Sequence, residues 1–252
     1  MIKDSSNIHL DTEQHSIKKS VILHLLPGLL ILLFYIMTAP FIIRLGLPSM
    51  FALQLAILFI LIPFELGYLF YQGKKEKGRF SLKEIVLYRE PIPIWQYFIL
   101  VPVFLGWSTI CFLIISPPIE NYLIKTLFSW LPNWFFLDDF VKNIALYSKS
   151  ALILTWVLGL VVQGIGAIVE ELYFRGYLMP RISRLKVWAP LINILLFSLY
   201  HLDSLWQTPA RILALLPVIY AVWWKRNIYL VIAWHFIVNI VGMILMIPLI
   251  FG

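Results

Sequence analysis

From about residue 21 onward, long apolar runs alternate with short polar connections. A window of about 19 residues, the length that carries a helix across hydrocarbon, picks out seven spans. They cover residues 21–43, 50–71, 95–116, 150–169 (with continuation to 179), 187–202, 208–224 and 228–250. Pro27, Pro40, Pro63, Pro102 and Pro217 fall inside these runs. They predict kinks rather than breaks, because neighbouring helices can satisfy the carbonyls a proline frees. An eighth helix is conceivable in the loop 117–143, where LIKTLFSWLPNWFF is amphipathic and aromatic. Pro132 and the flanking charges make an interfacial segment the better reading of it. The expectation is an all-α, polytopic transmembrane bundle of about seven spans, eight if that loop crosses.

Charge orients the bundle. Lys3, Lys18 and Lys19 precede the first run, and Lys74, Lys75, Lys77, Arg79, Lys83 and Arg89 follow the second. Arg175, Arg181, Arg184 and Lys186 follow the fourth, and Lys225 and Arg226 separate the last two. Thus 15 of the 20 basic residues fall on one side, and only Arg44, Lys125, Lys142, Lys149 and Arg211 on the other. Positive-inside bias then places the amino terminus in the cytosol and the carboxyl terminus outside. Residues 1–20 read as a polar cytosolic tail without the layout of a cleavable signal.

Composition agrees: 61% of the 252 residues are hydrophobic and 13% charged, with a mean hydropathy of +0.88. Soluble domains carry roughly twice that charged fraction. The net charge of +7 is explained by topology and headgroup contacts, so no nucleic acid partner is expected. Cys111 is the one cysteine, which excludes an intramolecular disulfide framework and a thiolate metal cage.

Against this background, ionisable residues inside the apolar runs are candidates for function. They are Glu170, Glu171 and Arg175; His201 in FSLYH; His235 and Asn239 in HFIVN; and an isolated Glu65. Glu171 and Arg175, four apart, share a helix face and can pair. Glu170 is turned about 100° away and lacks that partner, which makes it the better candidate for chemistry. At about 1.5 Å per residue from the cytosolic ends, Glu170 lies about 15 Å deep, His201 about 21 Å, His235 about 11 Å and Asn239 about 17 Å. All four fall in the middle slab of a core about 30 Å thick. That holds only if the fourth helix, about 45 Å long out to Met179, tilts or protrudes without lifting Glu170 to the boundary.

A carboxylate, two imidazoles and an amide at one depth suffice for hydrolysis. Glu170 can take a proton from water, His235 and Asn239 can donate to the oxyanion, and His201 can orient the water or protonate the leaving amine. The same Glu170, His201 and His235 form the two-histidine, one-glutamate set typical of catalytic zinc. A divalent metal such as zinc, or no cofactor, are both open, although an H-E-x-x-H run is absent.

The order E-E-x-x-x-R (Glu170, Glu171, Arg175), F-x-x-x-H (Phe197, His201) and H-x-x-x-N (His235, Asn239) on successive helices resembles the CAAX prenyl protease and bacteriocin-processing family, the type II CAAX endopeptidases. The resemblance covers roughly residues 150–250. It implies that Glu170 activates water, that His201 and His235 complete the site, that Asn239 helps form the oxyanion hole, and that Glu171 and Arg175 support them. The expected organisation is a tail at 1–20, membrane spans and loops over 21–149, and a catalytic helical core over 150–252. The expected partners are membrane lipid and a peptide or prenylated protein substrate, and the expected location a cell membrane, in particular a bacterial plasma membrane. The rival from another class is a transporter or bacteriocin-immunity binding protein that uses the same buried polar groups without catalysis.

Overall fold

The computed structural model describes residues 12–251, with side chains described for all but 137–139. Lys3 and most of the polar tail lie outside the described residues. The chain is an all-α bundle, and among the described residues six helices are long and apolar enough to cross a membrane. They are α1 (Ile17–Arg44), α2 (Ser49–Lys77), α3 (Ile94–Thr126), α4 (Lys149–Leu185), α6 (Thr208–Lys225, lengthened at its start by the 3₁₀ turn Leu202–Gln207) and α7 (Tyr229–Phe251). Between α4 and α6 lies α5 (Trp188–Tyr200), the expected fifth span. Its 13 residues reach about 20 Å, short of the roughly 30 Å of hydrocarbon. The chain turns back through Leu202–Gln207, so this helix reaches only about two-thirds of the way across.

The loop that was a candidate eighth helix resolves differently. α3 carries on through Pro117 and Pro118 to Thr126, and the stretch up to Ser148 holds short 3₁₀ turns and the six-residue helix Leu137–Lys142. Prolines account for how the long helices manage this. Wide π-type turns run over Ile57–Leu61, Cys111–Ile115 and Glu171–Leu178, and each is followed two residues later by a proline, Pro63, Pro117 or Pro180. A proline supplies no N–H and crowds the carbonyl four residues back; widening the preceding turn relieves both, and such turns recur at functional sites. Pro27, Pro40, Pro102 and Pro217 lie in helices but are not preceded by such a turn, so proline alone does not set the width.

The basic connections gather at one end of the bundle. The segment before α1 binds the end of α4 through His15 N–H to the Arg181 carbonyl (2.7 Å) and the Gln14 amide to the Pro180 carbonyl (3.2 Å). The α2–α3 connection threads the same end, with Leu87 N–H on the Gly176 carbonyl (2.7 Å) and the Tyr88 carbonyl accepting from Ile228 N–H (2.7 Å). Arg181, fully buried, donates to the carbonyls of Ile85 and Tyr177 and pairs with Glu76 at 3.4 Å. At mid-bundle α1 presses on the end of α5 at Gly28, where a Cβ would stand 1.9 Å from the Tyr200 carbonyl oxygen. An aromatic cluster of Tyr173, Phe174, Phe197 and Tyr200 fills the space between α4 and α5.

Candidate active site

Glu170 closes the regular part of α4, and Glu171 opens its wide turn. Both are buried, at 6% and 0% exposure. The pairing expected from the four-residue spacing forms: Arg175 Nη1 lies 3.0 Å from Glu171 Oε1, both side chains fully enclosed. The Arg175 guanidinium also lies over the Phe197 ring, 3.8 Å from its centroid. A carboxylate on one edge and an aromatic face on the other compensate the buried cation, while its Nε and Nη2 have no hydrogen-bond partner among the described residues.

His235, on α7, ties the two glutamates together. Its Nδ1 lies 2.8 Å from Glu171 Oε1 and its Nε2 3.9 Å from Glu170 Oε2. With Nδ1–H donating to Glu171, the ring is fixed in orientation and presents Nε2 to Glu170, the usual effect of a carboxylate behind a histidine. Glu171 therefore has two partners, and Glu170 faces His235 and interacts with the Tyr200 hydroxyl. His201 caps α5, its ring edge-on to Phe197 and Tyr200 at centroid distances of 5.1 and 4.7 Å. Asn239, one turn after His235, donates from Nδ2 to Gln163 O (3.1 Å) and Oε1 (3.2 Å).

Glu170, His201, His235 and Asn239 all line one cavity of about 290 Å³. Glu171 and Arg175 stand behind its wall. Non-helical backbone inside a membrane protein is tolerated where it lines such a cavity, which accounts for the break at His201. Glu65 is fully buried on α2, its two carboxylate oxygens without hydrogen-bond partners among the described residues. Its neighbours Phe64 and Tyr68 pack on Tyr173 in the wide turn of α4, so it adjoins the site rather than standing alone.

The metal alternative fares differently. Among the described residues no three His, Cys, Asp or Glu side chains are grouped so as to hold a metal ion. The set Glu170, His201 and His235 shares a cavity but not a coordination sphere, because His201 is held against the α5 aromatics while Glu171 holds His235.

Five wall residues were not singled out from the sequence: Gln163, Tyr200, Asp203, Gln207 and Arg211. Gln163 carried a signal, lying seven residues before Glu170 and so on the same face of an apolar helix. Tyr200 is adjacent to His201 and reads as an ordinary aromatic. Arg211, counted above with the connections of the less basic side, is instead buried in the first turns of α6. A second, mostly apolar cavity of about 250 Å³, with Met50, Met243 and Met246 in its wall, shares Gln163, Val238 and Asn239 with the first.

Residues 150–241 match the family model of the Rce1-like type II CAAX prenyl endopeptidases. That stretch is a little over a third of the chain and contains all seven motif residues, so the resemblance read from the motifs is supported where they lie. No curated protein and no solved structure shows significant similarity to the chain.

Proposed function

Taking as premise that residues 150–241 of this multi-pass membrane protein are of the type II CAAX prenyl endopeptidase family, we propose that the chain is an intramembrane endopeptidase in which Glu170 activates the attacking water. The observation that carries this is the approach of Glu170 Oε2 to His235 Nε2 at 3.9 Å on the wall of a cavity that His201 and Asn239 also line. One water can touch both groups across that separation. Glu170 removes its proton as the oxygen adds to the scissile carbonyl carbon. The proton then passes to the amide nitrogen as the C–N bond breaks, with His201, in the wall of the same cavity, to assist the leaving amine. Asn239 supplies a donor to the oxyanion, and His235, aligned by Glu171, supplies a second from Nε2 when its ring carries a proton on both nitrogens. For Asn239 this means exchanging one of its two bonds to Gln163 for the substrate oxygen.

The methionine-lined cavity that meets the site at Gln163 and Asn239 suits an apolar chain, since methionine walls adapt to flexible ligands. It favours a prenylated or otherwise membrane-associated peptide as substrate, and a bacterial plasma membrane is the proposed setting. The test is purified protein in lipid, incubated with a prenylated peptide and a panel of leader peptides, with and without chelator. Glu170→Ala is expected to abolish cleavage while the protein expresses and melts as wild type. Cleavage by that variant at the normal rate would remove Glu170 from the mechanism.

A further inference from the structure

Three arginines are buried among the described residues, and their surroundings differ. Arg175 has Glu171 at 3.0 Å and Arg181 has Glu76 at 3.4 Å. Arg211, 9% exposed, is held by neutral oxygens: Nη1 donates to the Ser198 carbonyl (3.2 Å), and Nη2 to the Ser204 hydroxyl (3.0 Å) and Gln207 Oε1 (3.2 Å). Asp203 acts on it at longer range, with the Ser204 hydroxyl bonded to both. It is also the arginine that faces the cavity. A cation with a neutral shell in a membrane helix is costly to maintain and points to a ligand or pathway. A guanidinium is built to take a carboxylate on a free edge.

We infer that Arg211 is an anion receptor in the cavity wall and that its ligand is the free C-terminal carboxylate of a peptide. This rests on the peptidase reading above. Glu170 and Arg211 share a cavity of only about 290 Å³, room for a few residues, so a chain end held by Arg211 sets cleavage a short distance from the terminus. His201 lines the same cavity as both groups. Asp203 lines the same cavity and so disfavours a second anion beside the first.

The test uses the full chain in lipid nanodiscs and one prenylated peptide without acidic side chains, as free acid and as C-terminal amide. Cleavage is read as kcat/KM, and binding of the same two peptides is read separately on Glu170→Gln protein. The acid is expected to exceed the amide by about tenfold or more in both, the scale of one charge-assisted hydrogen bond. Arg211→Gln is expected to bring the acid-to-amide ratio close to one, and Arg211→Lys to restore part of it. Wild type that handles acid and amide within about twofold overturns the proposal without any variant having to fold. So does an acid preference that survives in Arg211→Gln. If neither peptide is cleaved but the acid binds better and Arg211→Gln removes the difference, the receptor stands and the peptidase reading falls.

Discussion

The contact of Gly28 with Tyr200 makes a sharp prediction about a residue far from the motifs. A Cβ at position 28 would sit 1.9 Å from the Tyr200 carbonyl oxygen and 2.8 Å from its ring Cδ2. Ordinary contact starts near 3.4 Å, so Gly28→Ala requires a displacement of about 1.5 Å between α1 and the end of α5. The obstructing atom is backbone, so no side-chain rotation relieves it. Overpacking of this kind costs about 1–3 kcal/mol, partly offset by the roughly 1 kcal/mol that alanine gains over glycine in a helix. The net loss of stability is therefore small. The site suffers more, because Tyr200 carries the hydroxyl that meets Glu170 and its carbonyl adjoins His201. Misplacement of about 1 Å in a catalytic array costs on the order of 100-fold in rate. The assay pairs kcat/KM on the prenylated peptide with a melting curve in the same lipid. The expected result is a rate about 100-fold down with a midpoint within a few degrees of wild type. Wild-type rate in a folded Gly28→Ala protein would refute the idea that α1 buttresses the site.

Breaking the buried pair should behave in the opposite way. Arg175→Ala strands Glu171 without its cation, at a cost of about 3–5 kcal/mol, so its melting midpoint should fall well below that of Glu170→Ala; equal midpoints would count against the division of roles. Gln163→Ala removes the side-chain acceptor of the Asn239 amide and leaves the Gln163 carbonyl, so kcat is expected to fall by less than the roughly 100-fold or more of losing an oxyanion donor outright, with KM little changed; an unchanged kcat would show that the side-chain bond does not position Asn239. At the membrane end, burial, together with the nearby Lys19 and Arg181, lowers the His15 pKa from 6.5 to about 4. The unfolded chain then takes up a proton that the folded chain refuses. Stability should therefore be flat above pH 6.5 and fall as pH drops from 6.5 toward about 4. His15→Phe should flatten that slope, and an equally steep slope in His15→Phe would assign the loss to other groups.

Much of the architecture was readable because its cause is local. Apolar length marks a span, and four-residue spacing on a helix brings Glu171 to Arg175. What escaped was set by partners distant in the chain. A hydropathy window averages over α5 and the turn after it, so a 13-residue helix looks like a crossing. Arg211 reads as a topology charge near the start of a span until the Ser198 carbonyl, Ser204 and Gln207 close on it, and Glu65 reads as isolated until α2 is laid against the wide turn of α4. That turn itself had a visible cause in Pro180, but prolines elsewhere in the same bundle leave the helix regular.

The short reach of α5 has a consequence for the surrounding bilayer. The rod stops about 20 Å in, where a full crossing needs about 30 Å, and the turn that ends it is covered by protein: Asp203, Ser204 and Trp206 are buried, and the Trp206 ring packs on Phe128, Phe135 and Phe136. His201, Asp203 and Gln207 face the cavity from that same turn. The peptide groups freed there are thus shielded from acyl chains by an aromatic plug, and hydrocarbon can close around this flank as it would around a complete crossing.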